Sequence, residues 1–404
     1  MSEHRQQRIM LQWSSLVLFS LVFAIGFLVT ITSGLTLLRG GELRSLNRIV
    51  EYQQQAGSLY NSPARDNRAY KLALIKSVLP DTVVVGSSRA MLFRDSMISG
   101  SFVNAGGTVA NLAELISFLR AIEEIPDIRR VFVTLDFWWF DNDISSWSVP
   151  TTAYQPGRVA YSWGVDLMAP AFAFFDDGVF AGMRMLVRGA IGRLPFDAPG
   201  VVLATGFSAR LNGTGYARDG SYYYGAALYC VPEGAQQRGW RVRRDALLRA
   251  AEFDDRRAWV GGVEALRDGL ARLEARGVRV IPMMMPLAPS LHARLVVHPA
   301  FQAISGTLSR ALPGLRDFHD PNLFAGLTDA GFIDAVHPGE RVYAQVVERL
   351  LGRFYTDQAA AGGQPTPYWG DIDQVFPESG ELGAAFETAH REGRLETRRT
   401  CPAR

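Results

Sequence analysis

Val83-Val84-Val85 is followed at once by Gly86, Ser87 and Ser88. Three β-branched residues with no polar alternation read as a strand buried on both faces. Such strands belong to parallel sheets covered by helices on either side, and this restricts the fold more than any other stretch. Gly86 lets the backbone turn sharply, and Arg89 to Phe93 can start a helix. A serine at the carboxyl end of a buried strand sits where open α/β sheets bind ligands. The plainer alternative is that both serines only cap the helix.

The rest of the chain repeats the alternation of strand and helix. Ser101–Gly107 predicts a short strand ending in a glycine turn. Asn111–Glu124 carries apolar residues at helical spacing (Leu112, Leu115, Ile116, Leu119, Ile122), with Pro126 and Asp127 as its stop. Arg130–Asp136 predicts a third strand closed by a carboxylate. Past a long interruption, Arg256–Arg276 predicts an amphipathic helix, Val278–Pro286 a strand, Phe301–Leu312 a helix and Leu315–Phe318 a short strand. Gly339–Phe354 predicts the closing helix. Strands and helices at this spacing imply a parallel sheet with helices on its faces.

Four segments stand apart from that rhythm. Trp13–Leu38 is uncharged and mostly apolar, long enough to cross a bilayer core of roughly 30 Å with some tilt. An uncleaved anchor at 13–38 behind a short stretch at 1–12 is the expectation, with a signal peptide as the rival. Arg5 and Arg8 precede the run and Arg39, Arg44 and Arg48 follow it, so charge alone does not orient it. Residues 39–76 are polar and predict a stalk leading into a domain at 77–355. The interruption at 137–232 holds Trp138, Trp139, Trp147, Tyr154, Trp163 and Tyr222-Tyr223-Tyr224. It predicts an ordered insertion, with some helix around Phe180–Arg188, that serves either core packing or an aromatic-lined substrate groove. Residues 356–404 predict a loose tail.

Composition excludes several classes. A net charge of +2 over 404 residues gives no footprint for nucleic acid. Cys230 and Cys401 form no CxxC pair, so no zinc site or disulfide framework follows, and no cofactor is called for. Of the six histidines, His4 and His390 lie outside the domain, and His298 and His319 read as surface or loop residues. His292 follows a strand that points to the same sheet edge as the serines and is a possible lining residue, as are Arg89 and Asp136. Asp136 reads as structural or as a second acid.

Asp334-Ala335-Val336-His337 is the remaining constellation. A serine hydroxyl is a weak nucleophile until a base takes its proton. Histidine is the usual base, and an acceptor on its other nitrogen holds one tautomer. Asp-x-x-His fits that need and precedes the last helix, while Gly-Ser-Ser follows the first strand of the sheet. In a parallel sheet both can reach the carboxyl edge.

Gly86-Ser87-Ser88, Asn104-Ala105-Gly106-Gly107 and Asp334-Ala335-Val336-His337 together resemble the SGNH (GDSL-type) hydrolase superfamily. The third strand, ending in Leu135-Asp136-Phe137, also resembles a membrane-anchored SGNH-like branch, similar to periplasmic alginate O-acetylation proteins and to the D-alanyl transfer protein of teichoic acid modification. The resemblance covers roughly Asp81 to Phe354, without the insertion. It implies a three-layer, flavodoxin-like parallel-sheet α/β domain. It implies Ser88, not Ser87, as nucleophile, His337 as base and Asp334 as orienting acid. The oxyanion hole would use the backbone N–H groups of Ser88 and Gly107. The implied activity is O-acyl transfer, of acetyl groups first of all, or acyl-ester hydrolysis on an exported polysaccharide, with a multi-span membrane acyltransferase as partner. The implied location is a single-pass inner-membrane protein whose residues 1–12 are cytoplasmic and whose domain is periplasmic. A non-catalytic module that binds glycan or the acyltransferase is the alternative. The third family block departs from the pattern. Asp136-Phe137-Trp138-Trp139 stands where an asparagine donor is usual, and Asn142 is out of register.

Overall fold

The computed structural model describes residues 3–42, 44–62, 66–140, 179–192, 204–206, 209, 214–223, 260–324, 327–329, 332 and 335–351. Its helices are α1 (Glu3–Gly40), α2 (Leu46–Ala56), α3 (Asn67–Val78), α4 (Leu112–Glu123), α5 (Val179–Ala190), α6 (Val260–Ala275), α7 (Pro289–Leu295), α8 (Pro299–Ala311) and α9 (Glu340–Leu351). Its strands are β1 (Leu59–Tyr60), β2 (Thr82–Gly86), β3 (Phe102–Gly106), β4 (Arg130–Leu135), β5 (Ala204–Thr205), β6 (Gly215–Tyr216), β7 (Tyr222–Tyr223), β8 (Arg279–Met284) and β9 (Arg316–Asp317).

The main sheet has the order β3-β2-β4-β8-β9, and every neighbouring pair is parallel. From β2 the chain goes to one side for β3 and then to the other side for β4. The carboxyl ends of β2 and β4 therefore flank the point where the winding reverses, the usual ligand position in doubly wound sheets.

Successive residues of the valine run serve opposite faces, as a doubly covered strand requires. Val83 and Val85 join Val131, Val133 and Val103 in a core closed by residues of α3, α4, α6 and α8. Val84 joins Phe132, Ile281 and Met283 in a second core with Phe93 and with Tyr343, Val346 and Val347 of α9. Each buried valine contributes roughly 1.5–3 kcal/mol over an exposed one, so a polar residue in the run would disrupt one layer or the other. α4 starts where the sequence says. Asn111 accepts from the Glu114 N–H at 2.9 Å, and the Glu114 carboxylate accepts from the Ala110 N–H at 2.8 Å.

The expected stalk at 39–76 is corrected by the structure. Ile49, Val50, Leu59, Tyr60, Tyr70, Leu72, Leu74 and Ile75 are buried, and α2 and α3 pack together against the sheet. Some of the polar residues that made the segment look solvated are partnered inside. Gln53 donates to the carbonyls of Tyr216 and Ala217 and accepts from the Tyr70 hydroxyl at 2.7 Å. β1 pairs parallel with β5 and antiparallel with β6, giving a second sheet of order β5-β1-β6-β7. The segment read as stalk and the segment read as insertion thus complete each other. α5 falls where helix was expected within the insertion. Trp147, Tyr154, Trp163 and Tyr224, on which the groove reading drew, lie outside the described residues, as do the tail and residues 352–355.

Lys71 joins the two sheets. It is fully buried, donates to the carbonyls of Asn104 (2.8 Å) and Gly220, and lies 3.9 Å over the Tyr216 ring. Burial pushes its ammonium pKa well down, and the nearby Asp219 charge opposes that shift.

α1 includes one stretch, Gln12–Gly40, long and apolar enough to cross a membrane. Its far end is not free. Ser33, Thr36 and Leu37 are buried, and the Thr36 hydroxyl donates to the Leu186 carbonyl of α5 at 3.2 Å.

Candidate active site

Beyond β2 the chain makes a single 3-10 turn, Ser88–Ala90, rather than the helix its sequence permits. The reason lies in where its carbonyls go. Arg89 O accepts from the Tyr343 hydroxyl at 2.5 Å, Ala90 O and Phe93 O each accept from the Asn104 amide at 2.8 Å, and Met91 O accepts from the Tyr222 N–H at 2.8 Å. Tertiary donors have replaced the helical ones. Two glycines let the turn sit this low on the sheet. A Cβ at Gly86 would lie 1.7 Å from the Thr134 hydroxyl, and one at Gly106 would lie 2.7 Å from the Ala90 carbonyl carbon.

The two serines divide the roles that the sequence left open. Ser87 caps the turn, its hydroxyl accepting from the Arg89 N–H at 3.1 Å. Ser88 instead turns its hydroxyl to the imidazole of His337, with Oγ 2.7 Å from Nε2. Both side chains are half-buried. A pair 249 positions apart in sequence thus meets at hydrogen-bond distance beside the reversal point of the sheet.

The His337 loop is held from below. Ala335 O accepts from the Ala288 N–H at 3.1 Å, and Phe332 bridges Pro338. Val336 O accepts from Arg89 Nε at 3.0 Å. Arg89 is 1% exposed, and its remaining donors go to Asp136 (2.9 Å), Met285 O (2.6 Å) and Pro286 O (3.0 Å). One guanidinium therefore ties the serine turn, the end of β4, the segment after β8 and the histidine loop together. Its planar fork supplies fixed directions that a lysine could not.

Arg89 and Asp136, expected to line the site, lie beneath it as a closed ion pair. The structural alternative for Asp136 is the one observed, since a carboxylate 1% exposed and bound to Arg89 is not available to substrate. Gly107 is also corrected. Its N–H donates to Gly86 O at 3.0 Å and Ser87 O at 2.9 Å, so it closes the turn and is not offered to an acyl oxygen. The Ser88 N–H has no acceptor among the described residues and remains a candidate oxyanion donor. The third block provides no amide. Phe137 is buried, and the Trp138 ring lies 5.4 Å from the Arg89 guanidinium carbon. Asp334 and Asn142 lie outside the described residues.

His292 lies in α7, away from any bond with Ser88 or His337 among the described residues. Burial and the neighbouring His319 lower its pKa. His319, read as a surface or loop residue, is 2% exposed between Phe137 and Phe301. Its Nδ1 lies 3.1 Å from Asp317 Oδ1 but off the line of a hydrogen bond. Burial works to raise the Asp317 carboxyl, yet His319 and then His292 outweigh it and hold the pKa low. His298 caps α8 through Nδ1. Asn104 and Tyr343, which shape the serine turn, gave no site signal beyond Asn104's place in the second block. No cluster of three or more metal-ligating side chains is found among the described residues.

Against this geometry, no family model matches the chain, and no curated protein matches its sequence.

Proposed function

We propose that the chain is a membrane-anchored serine O-acyltransferase or acylesterase, with Ser88 as nucleophile and His337 as general base. The observation that carries the reading is the 2.7 Å approach of Ser88 Oγ to His337 Nε2 at the carboxyl edge of the parallel sheet. With Nε2 as acceptor, the ring carries its proton on Nδ1, where Asp334 is the partner that the SGNH resemblance implies. As Ser88 Oγ attacks an acyl carbonyl, its proton passes to Nε2. The imidazolium returns that proton to the leaving oxygen, and an acyl-serine remains. A sugar hydroxyl or water then gives its proton to Nε2 and attacks the ester carbonyl, and as the intermediate collapses Nε2 returns that proton to the departing Ser88 Oγ. The Ser88 N–H supports the oxyanion.

The substrate follows from the resemblance: an exported or cell-envelope polysaccharide, O-acetylated first of all, on the periplasmic side of a single-pass inner-membrane anchor. A multi-span acyltransferase is the proposed source of acyl groups. One observation favours the second reading, a non-catalytic binding module. With the Gly107 N–H engaged and no asparagine in the third block, two of the oxyanion donors that the resemblance implies are missing, and the loss of one alone costs about 10²–10³ in rate.

A fluorophosphonate probe on the purified full-length chain separates the two. Covalent labelling of Ser88, abolished in Ser88→Ala and strongly slowed in His337→Ala, is the expected result. A wild-type chain that stays unlabelled under conditions that label a control esterase leaves the binding module.

A further inference from the structure

α1 is exposed along its apolar length and joins the domain at Ser33. The exposed run from Trp13 to Thr32 spans roughly 30 Å at 1.5 Å per residue, the thickness of a bilayer's hydrocarbon core. Trp13, at the far end, is the ring type that settles at headgroup depth. If α1 spans the membrane, the hydrocarbon boundary on the domain side falls near Thr32. Whatever packs on α1 just past that point stands at the bilayer surface.

That element is α5. The Thr36 hydroxyl meets Leu186 O, a Cβ at Gly189 would lie 2.5 Å from Thr36 Cγ2, and Arg39 donates to Ala190 O. From Thr36 to Arg39 the contacts advance from Leu186 to Ala190, so the helices run in the same direction and α5 begins on the membrane side. Phe180 precedes Leu186 by about 9 Å of helix, and Thr32 precedes Thr36 by about 6 Å. Phe180 therefore falls near, or slightly inside, the hydrocarbon boundary.

The side chains follow the polarity gradient of that boundary. Gly182, Leu186 and Gly189 form the buried stripe of α5. In its first turn Phe180 is 89% exposed and Val179 64% exposed, and the exposed Arg184 and Arg188 come one and two turns later. Bare aromatic and aliphatic side chains followed by arginines are the pattern of helices that rest in the headgroup region.

We propose that α5 is a second membrane contact: its first turn, through Val179 and Phe180, enters the acyl boundary of the domain-side leaflet, while Arg184 and Arg188 meet lipid phosphates. The inference rests on the spanning reading of α1. The occupant is a bilayer because the depth of Phe180 is fixed by the length of α1 itself.

The test uses the full-length chain in vesicles of zwitterionic and anionic phospholipid, with Cys230 and Cys401 replaced by serine. Single spin labels are introduced through Leu21→Cys, Phe180→Cys, Arg188→Cys and Glu274→Cys. These positions are exposed, so folding is not at stake. Relative collision with oxygen over a water-soluble nickel complex should be several-fold higher at positions 21 and 180 than at 188 and 274. A lipid-like ratio at 21 with a water-like ratio at 180 overturns the second contact and leaves the anchor intact. A water-like ratio at 21 overturns the anchor as well. Shielding of position 180 from both reagents shows a second copy of the chain there and overturns the lipid assignment.

Discussion

Two histidines of this protein follow an aspartate closely in sequence, and among the described residues only one of them meets a serine hydroxyl. His337 is half-buried, and its Nε2 lies 2.7 Å from a serine hydroxyl. His319 is 2% exposed, enclosed by Phe137 and Phe301, with Asp317 at its edge. The spacings of acid and imidazole, two positions for His319 and three for His337, are too alike to account for the difference. What separates them is the loop backbone. The His337 loop is fixed by the Ala288 N–H and the buried Arg89, which aim the ring at the sheet edge. His319 follows the short edge strand β9 and turns inward, where its ring fills space between aromatic side chains.

The comparison breaks most visibly in acyl transfer. Ser88→Ala and His337→Ala should each lower the rate by about 10³-fold or more, and the double mutant should be little worse than either, because the pair acts as a unit. His319→Ala should keep the wild-type rate within a few-fold and lower stability, as expected for a buried ring packed between others. Turnover and urea unfolding on all four variants decide this. If His319→Ala proved the more inactive, the two roles would have to be exchanged.

Next in size is the support of the loop. Arg89→Met leaves Asp136 buried without its partner and should cost about 3–5 kcal/mol in urea unfolding. Arg89→Met/Asp136→Leu should recover most of that stability. Its kcat should stay low with KM little changed, because the Arg89 hydrogen bond to the Val336 carbonyl is then gone. Around His319, Asp317→Asn should change stability by no more than about 1 kcal/mol, as its side chain is 36% exposed. Full activity in the double mutant would show that Arg89 only fills space.

A smaller effect is pH dependence near His319. His292 and Asp317 both have folded pKa values below their ordinary ones. For each, the unfolded chain takes up the proton first, so stability declines on acidification. The His292 contribution is complete above its ordinary value of 6.5 and diminishes as pH falls through its lower folded value. The Asp317 contribution is present above 3.8 and is lost as pH falls through its own folded value. Denaturant midpoints measured against pH should show the first decline in wild type and not in His292→Gln. Smallest of all, Ser87→Ala should lose about 1 kcal/mol of cap stability and keep most activity. An inactive Ser87→Ala would shift the nucleophile by one position.

The sequence made the architecture legible where its signal was long. The valine run, α4 with its Asn111 cap, and α6, β8, α8, β9 and α9 in their order could be read directly, whereas α7, only seven residues long, was not anticipated. Ser88 and His337 were legible as residues, and their meeting follows once β2 is interior and α9 closes the same edge. The arrest of helix after Ser88 was not legible, because the donors that capture its carbonyls come from Asn104, Tyr222 and Tyr343. The role of Arg89 was hidden for the same reason: its acceptors are scattered from Asp136 to Val336. Residues 39–76 misled through composition. Some of their polar groups, Gln53 and Tyr70 among them, are partnered inside the fold, and β1 has only two residues, too few for periodicity to show.

The buried end of α1 has a consequence for reach. A flexible stalk at 39–76 would let the domain sweep a cap of radius on the order of 30 Å over the membrane. Here Gly40 O binds the Gly206 N–H beside β5, the small sheet passes the constraint from Arg94 and Tyr222 to Met91, and Met91 lies three residues past Ser88. On the anchor reading the serine keeps a fixed altitude, moving with the membrane plane and not above it. If the proposed acyl transfer holds, donor and acceptor have to be delivered to that height, and lateral diffusion in two dimensions replaces the search in three.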